Sequence, residues 1–172
     1  MKKIILALSM LGLLVSSAYA EGKKSVYMGV GFGVMAVPEE SDAGVGISVK
    51  GGMELDNILK NLGMELELQK SIVDPDYHYY YHHNDTNVNI LTLAVYATYD
   101  IIIPSSAATL RPRFGIILPN LGDTKSVNTR NYGLSSGLDI TYKVSQKVKI
   151  YTGYTNLGEN VNTYLVGMEY HF

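Results

Sequence analysis

The stretch Val26-Tyr27-Met28-Gly29-Val30-Gly31-Phe32-Gly33-Val34 decides the fold. Val26, Met28, Val30, Phe32 and Val34 share one parity, and Tyr27, Gly29, Gly31 and Gly33 share the other. A strand sends successive side chains to opposite faces, so this run has one continuous apolar face and one nearly bare face. Wound as a helix, the same residues would scatter around the axis. An apolar face backed by glycine also departs from the usual strand of a soluble protein, whose second face carries long polar side chains.

The pattern recurs seven more times. Ile47, Val49, Met53 and Leu55 alternate with Ser48, Lys50, Gly52 and Glu54; Met64, Leu66 and Leu68 alternate with Glu65, Glu67 and Gln69. Leu91 to Asp100 and Leu110 to Ile116 repeat it, with Thr92, Ala94, Tyr96, Arg111, Arg113 and Gly115 on the polar parity. Tyr132 to Lys143, Val148 to Tyr154 and Tyr164 to Phe172 complete the set. Pro112 cannot donate to a ladder, so a strand start or a bulge is expected there. The fold class expected is all-β, an eight-stranded antiparallel up-and-down transmembrane β-barrel.

Upstream, the chain reads as an address. Lys2 and Lys3 precede an apolar run from Ile4 to Val15, followed by Ser16-Ser17-Ala18-Tyr19-Ala20 with the A-x-A shape of a cleavage site. The run is too short to span about 30 Å of hydrocarbon as a helix. Residues 1–20 are therefore expected to be a cleaved signal peptide, and 21–172 a single barrel domain. Removing the signal leaves 152 of the 172 residues. Eight segments then take about 19 residues each, enough for strands of about 9–11 residues with modest connections. Sixteen strands would leave no connections, which excludes a large porin. No later stretch approaches a spanning helix, and a closed barrel satisfies every backbone group in lipid without one.

Composition agrees. The chain has 17 Gly and 14 Tyr, only 17% charged residues and a net charge of −2. Near-neutral charge argues against a nucleic-acid partner. The absence of Cys removes disulfides, thiolate zinc sites and cysteine nucleophiles.

The polar parity is small, which suits the crowded interior of eight strands. Its charges are Glu54, Glu65, Glu67, Asp100, Asp139 and Glu169 against Lys50, Arg111, Arg113, Lys143 and Lys149. Facing one another inside a barrel, these eleven are expected to form a paired lumen network, since unpaired charge there is costly. Tyr residues near strand ends fit an interfacial girdle. Connections 56–62, 102–109 and 145–147 are short, and 37–44, 71–88, 119–130 and 156–162 are longer. Short turns are periplasmic by the barrel rule, so both termini are expected in the periplasm.

These stretches resemble the small OmpA/OmpX-like eight-stranded outer-membrane β-barrel family. The likeness is carried by Lys50–Asp56 with Leu62–Glu67, by Ala94–Asp100 with Arg111–Gly115, by Gly133–Tyr142 with Val148–Tyr154, and by Gly167–Phe172. The resemblance implies an integral outer-membrane protein of a Gram-negative envelope, expected as a monomer, with outer-membrane lipid and lipopolysaccharide as its surroundings. It also implies that Tyr170 and Phe172 form the terminal signal read by the barrel-assembly machinery. Longer members add a periplasmic peptidoglycan-binding domain, and none is expected here.

Enzymatic chemistry finds little support in the residues. Some eight-stranded barrels are lipid A deacylases, whose pattern needs a His two positions before a Ser. Here those positions hold Gly153 and Thr155, so no enzyme and no cofactor are expected. Gly29-x-Gly31-x-Gly33 lies within a strand and is no nucleotide loop. Three of four His fall in Asp76-Tyr77-His78-Tyr79-Tyr80-Tyr81-His82-His83-Asn84-Asp85. Their spacing fits no defined metal motif. Tyr77, His78, Tyr79, Tyr80, Tyr81, His82 and His83 are instead external contact candidates, offering stacking and hydrogen bonds to sugar or another surface. The function expected is structural and interactive: envelope integrity, adhesion or recognition through external loops. The alternatives are a narrow channel for small solutes and a soluble periplasmic barrel holding a small apolar ligand.

Overall fold

A computed structural model of the chain describes residues 25–36, 43–77, 86–87, 89–118, 133–157 and 161–172. Residues 1–20 and the loop tip 78–85 lie outside the described residues, and with them the signal-peptide reading and most of the His/Tyr contact candidates.

Eight long strands follow in order: β1 (Val26–Ala36), β2 (Gly44–Glu54), β3 (Leu62–Val73), β4 (Leu91–Tyr99), β5 (Ala108–Leu118), β6 (Gly133–Lys143), β7 (Val148–Asn156) and β8 (Asn162–His171). Each pairs antiparallel with its sequence neighbours, and β1 pairs with β8. The sheet thus closes on itself and leaves no edge strand. Six of the eight strands extend two to six residues beyond the alternation visible in the sequence.

The registers fix the barrel's shape. The hydrogen-bonding line from Val26 runs through Met53, Met64, Ala97, Phe114, Ser136, Asn156 and Asn162, and returns to β1 at Ala36. That is a shear of ten for eight strands, which sets a strand tilt of about 40° and an interior just wide enough for side chains. Among the described residues the β2–β3 register shifts between Val45 and Gly46, where Ile72 is the extra residue on β3.

Pro112 corrects the expectation placed on it. It is neither a strand start nor a bulge but an interior residue of β5, paired with Leu138 on β6. The ladder to β4 stops at Thr98–Arg113 and resumes at Ile101–Leu110 in the same register. The missing donor falls in that gap, and the Arg111 guanidinium bridges it by holding Asp100 at 2.6 and 3.1 Å.

The faces are inverted relative to a soluble barrel. Phe32 is 63% exposed and Leu134 65%, with Val30, Phe114, Ile116, Ile150 and Met168 also open on the outer face. The opposite parity is buried and largely polar. Outward tyrosines gather toward two levels: Tyr99, Tyr142 and Tyr170 with Phe172 at the end carrying the termini, and Tyr154 against Tyr164, with ring centroids 5.1 Å apart, at the distal end. The turns at the terminal end are tight. Asn61, at φ 65°, donates its backbone N–H to Asp56 at 2.7 Å, and Ser105, at φ 59°, follows Pro104.

Candidate functional site in the barrel interior

Period-two alternation places the site. Lys50 on β2, Glu65 and Glu67 on β3, Arg111 and Arg113 on β5, Asp139 on β6 and Glu169 on β8 all point to the axis, and each is at most 3% exposed. Long side chains can meet there because their neighbours are small. A methyl group at Gly153 would overlap the Asp139 carboxylate, and one at Gly29 would press on the Lys50 stem.

The Lys50 ammonium sits among three carboxylates, 2.9 Å from Asp139, 2.9 Å from Glu169 and 3.6 Å from Glu65. Those carboxylates have oxygens within 4.8 Å of one another, a spacing that would hold a metal ion. Here the lysine supplies the cation. The ammonium also lies 3.6 Å from the centroid of the Tyr151 ring. Arg113 spans Glu65 at 2.8 Å and Glu67 at 2.9 Å, donates to Thr155 Oγ1, and stacks over Tyr96. Arg111 links Asp100 to Glu169, at 2.9 Å, and covers Tyr27. Tyr27 completes the set by donating to Glu65 at 2.7 Å.

Eight of the eleven charges expected in the lumen therefore meet: Lys50, Glu65, Glu67, Asp100, Arg111, Arg113, Asp139 and Glu169. Glu54, Lys143 and Lys149 do not join them. They stand at the terminal rim, and none has an ion pair among the described residues. Lys143 and Lys149 even face each other across β6 and β7, which is tolerable only where water reaches them. Sequence reading also passes over aromatic members: Tyr27, Tyr96 and Tyr151 sit on the polar parity, and their rings take up the cations. It misses His171 as well, which stacks on Tyr27, centroids 5.2 Å apart, with Nε2 3.4 Å from Glu169. Parity alone marks all four.

Toward the distal end the interior turns apolar. Ala94, Tyr96, Ile117 and Leu157 form a buried cluster, with Met35 and Leu165 also fully enclosed. At that end the longest connection has a fixed base. Asp74 accepts from the Ser71 hydroxyl and from Asn89, and Ser71 accepts from the Ile90 N–H at 2.9 Å. The backbone then continues as a short hairpin, Asp76 against Asn87 and Tyr77 against Thr86.

A closed sheet with apolar residues facing out and charges facing in is an integral membrane barrel. The model of the outer membrane protein beta-barrel domain family matches residues 5–172, and the chain belongs to that family of the bacterial outer membrane. No curated protein matches it in sequence. Solved structures share the fold at low identity. Neisserial surface protein A is 16% identical, with 87% of this chain and 97% of that one covered and a TM-score of 0.59. A major outer membrane protein from Thermus thermophilus gives 13%, 87%, 99% and 0.60. Ail of Yersinia pestis, in complex with the heparin analogue sucrose octasulfate, gives 13%, 87%, 97% and 0.51.

Proposed function

We propose that the protein is a rigid surface-presenting barrel, its lumen plugged by ion pairs and its contacts made by the longer connections of the distal end. In this reading the termini face the periplasm, the barrel is a monomer in lipid and lipopolysaccharide, and Tyr170 and Phe172 are read by the assembly machinery. Residues 1–20 are a signal removed on export, and no catalytic role is assigned.

The observation that carries the reading is the joint one of interior and stem. Each buried cation binds carboxylates contributed by distant strands, so the wall is cross-braced. The longest distal connection rises from the pinned base at Ser71, Asp74 and Asn89. Its residues 74–90 hold four Tyr, three His and three Asp, with no Lys or Arg. Such a loop suits stacking on uncharged sugar faces and repels sulfated or phosphorylated polyanions at neutral pH. The contact candidates remain Tyr77, His78, Tyr79, Tyr80, Tyr81, His82 and His83.

The test is deletion of residues 78–85, with the purified barrel in nanodiscs passed over immobilised neutral glycans, lipopolysaccharide and heparin. Binding to neutral glycan that vanishes in the deletion, while heat-dependent SDS mobility is kept, is the expected result. Unchanged binding in the deletion, or binding to heparin alone, would overturn the proposal. A narrow channel is the second reading, favoured by the charged lumen. Steady, large planar-bilayer conductance would establish it over the plugged barrel.

A further inference from the structure

Eight buried side chains among the described residues carry polar atoms without a hydrogen-bond partner; Arg113, Asp139 and Thr141 are three of them, and the other five, Ser48, Glu67, Gln69, Thr92 and Tyr151, line the lumen wall beside Lys50 and distal to it. The registers bring them together. Ser48 faces Gln69 across β2 and β3, and Gln69 faces Thr92 across β3 and β4. Glu67 lies two residues from Gln69 on the same face of β3. The Tyr151 hydroxyl fills the space over Gly31, where a methyl group would overlap it, and Gly31 faces Ser48. The Ser48 and Tyr151 hydroxyls adjoin, yet neither completes a hydrogen bond of good geometry. Five such groups in one place are far from the rule that buried polar atoms are satisfied.

Buried side chains lie to either side of the region. Lys50 and Arg113 cross the lumen on the terminal side, and Met35, Ile117 and Leu165 lie on the distal side. The charges inside do not balance either. Four fully buried carboxylates, Glu65, Glu67, Asp139 and Glu169, face three fully buried cations, Lys50, Arg111 and Arg113. Glu67 spends one oxygen on Arg113 at 2.9 Å, and its other oxygen is unpaired. With Asp100 on Arg111 as well, the interior holds more acid than permanent cation, and the Glu67 oxygen without a partner is one place where a further positive charge would be met.

We infer that this part of the lumen binds a small oxygen-seeking cation of the Na⁺ or Ca²⁺ type. Glu67 Oε1 supplies the charge, and the Gln69 amide oxygen with the Ser48, Thr92 and Tyr151 hydroxyls supplies the neutral ligands. The donor set contains no thiolate or imidazole, which disfavours zinc and copper; carboxylate, amide and hydroxyl oxygens suit hard cations, whose shell of six or more oxygens these five would fill together with water. The inference concerns the interior alone and does not depend on what the loops bind.

The test refolds the full chain from urea into detergent in NaCl, in CaCl₂ and in choline chloride at matched ionic strength, choline being too large to enter. Unfolding is read as the temperature at which the fast SDS band is lost. The expected result is a higher midpoint in Na⁺ or Ca²⁺ than in choline, with E67Q abolishing the difference. T92V, which removes one ligand and keeps the shape, raises the half-saturating concentration about tenfold. T92V alone decides if E67Q does not fold. The chain has no Trp, so Tb³⁺ luminescence excited through tyrosine, displaced by Ca²⁺ and weakened in T92V, is a direct second readout. Equal midpoints in all three salts would show that water alone satisfies these groups, and would overturn the site. A cation effect undiminished in both variants would place the ion elsewhere and overturn it equally.

Discussion

Replacing Lys50 with Met keeps the length of the side chain and removes its charge. The three carboxylates it joins, Glu65, Asp139 and Glu169, then face one another with oxygens within 4.8 Å. At an effective dielectric constant of about 20, two such charges about 5 Å apart repel by about 3 kcal/mol. Arg111 and Arg113 offset part of this, holding Glu169 at 2.9 Å and Glu65 at 2.8 Å. The net loss is expected at about 3–5 kcal/mol, the range for removing one member of a buried ion pair. That is a large share of the stability of a domain this size. The assay is urea unfolding in phospholipid vesicles, followed by tyrosine fluorescence and by SDS mobility without heating. The double variant K50M/D139N removes one charge of each sign, keeps the native excess of one buried carboxylate, and is expected to regain at least half of the loss. A K50M loss under about 1 kcal/mol, or a double variant no better than the single, would refute the view that this pairing holds the barrel together.

Three further outcomes follow from the same geometry. Phe32→Arg, on the outer face at mid-strand, is expected to cost about 2–4 kcal/mol in vesicles, where a soluble barrel would accept an exposed arginine; equilibrium unfolding in lipid checks it. Gly33→Ala would push a methyl into the Tyr164 carbonyl oxygen on β8, whereas nothing lies within 4 Å of a methyl at Gly133. The first should reduce the heat-modifiable fraction of the membrane pool and the second should leave it unchanged. Asn89→Ala removes a donor to Asp74 at the loop base while leaving the barrel ladder alone, so it should lower neutral-glycan binding with no change in unfolding temperature.

Most of the fold is legible in the sequence because period-two alternation survives every perturbation the chain contains. Glycine on the inner parity of β1 and long apolar residues on the outer parity give both strand and sidedness from nine residues. Pro112 misleads because its cost depends on which neighbour would accept its missing N–H, a property of pairing that no single strand reveals. The interior is legible by class and not by membership. Parity puts Glu54, Lys143 and Lys149 on the same face as Lys50 and Asp139, and only the registers show that they stand at the rim. The cation–aromatic contacts are hidden for a related reason. Tyr27 precedes Arg111 by 84 positions, and only a closed barrel brings one over the other.

The same registers bear on whether such a lumen conducts. Lys50 and Arg113 share two carboxylates: Glu65 at 3.6 and 2.8 Å, and Asp139 at 2.9 and 3.6 Å. Neither cation can swing aside without stranding an acid that the other must then neutralise alone. Breaking one buried contact of this kind costs about 3–5 kcal/mol, which at about 1.4 kcal/mol per decade leaves an open fraction between roughly one in a hundred and one in four thousand. Glycine neighbours give the side chains room to assemble, while the shear of ten for eight strands keeps the interior narrow. On the proposed reading, an interior built this way would stiffen the wall against changes in its own cross-section. It would thereby fix the spacing of the strand ends from which the distal connections rise, as the proposed surface scaffold requires.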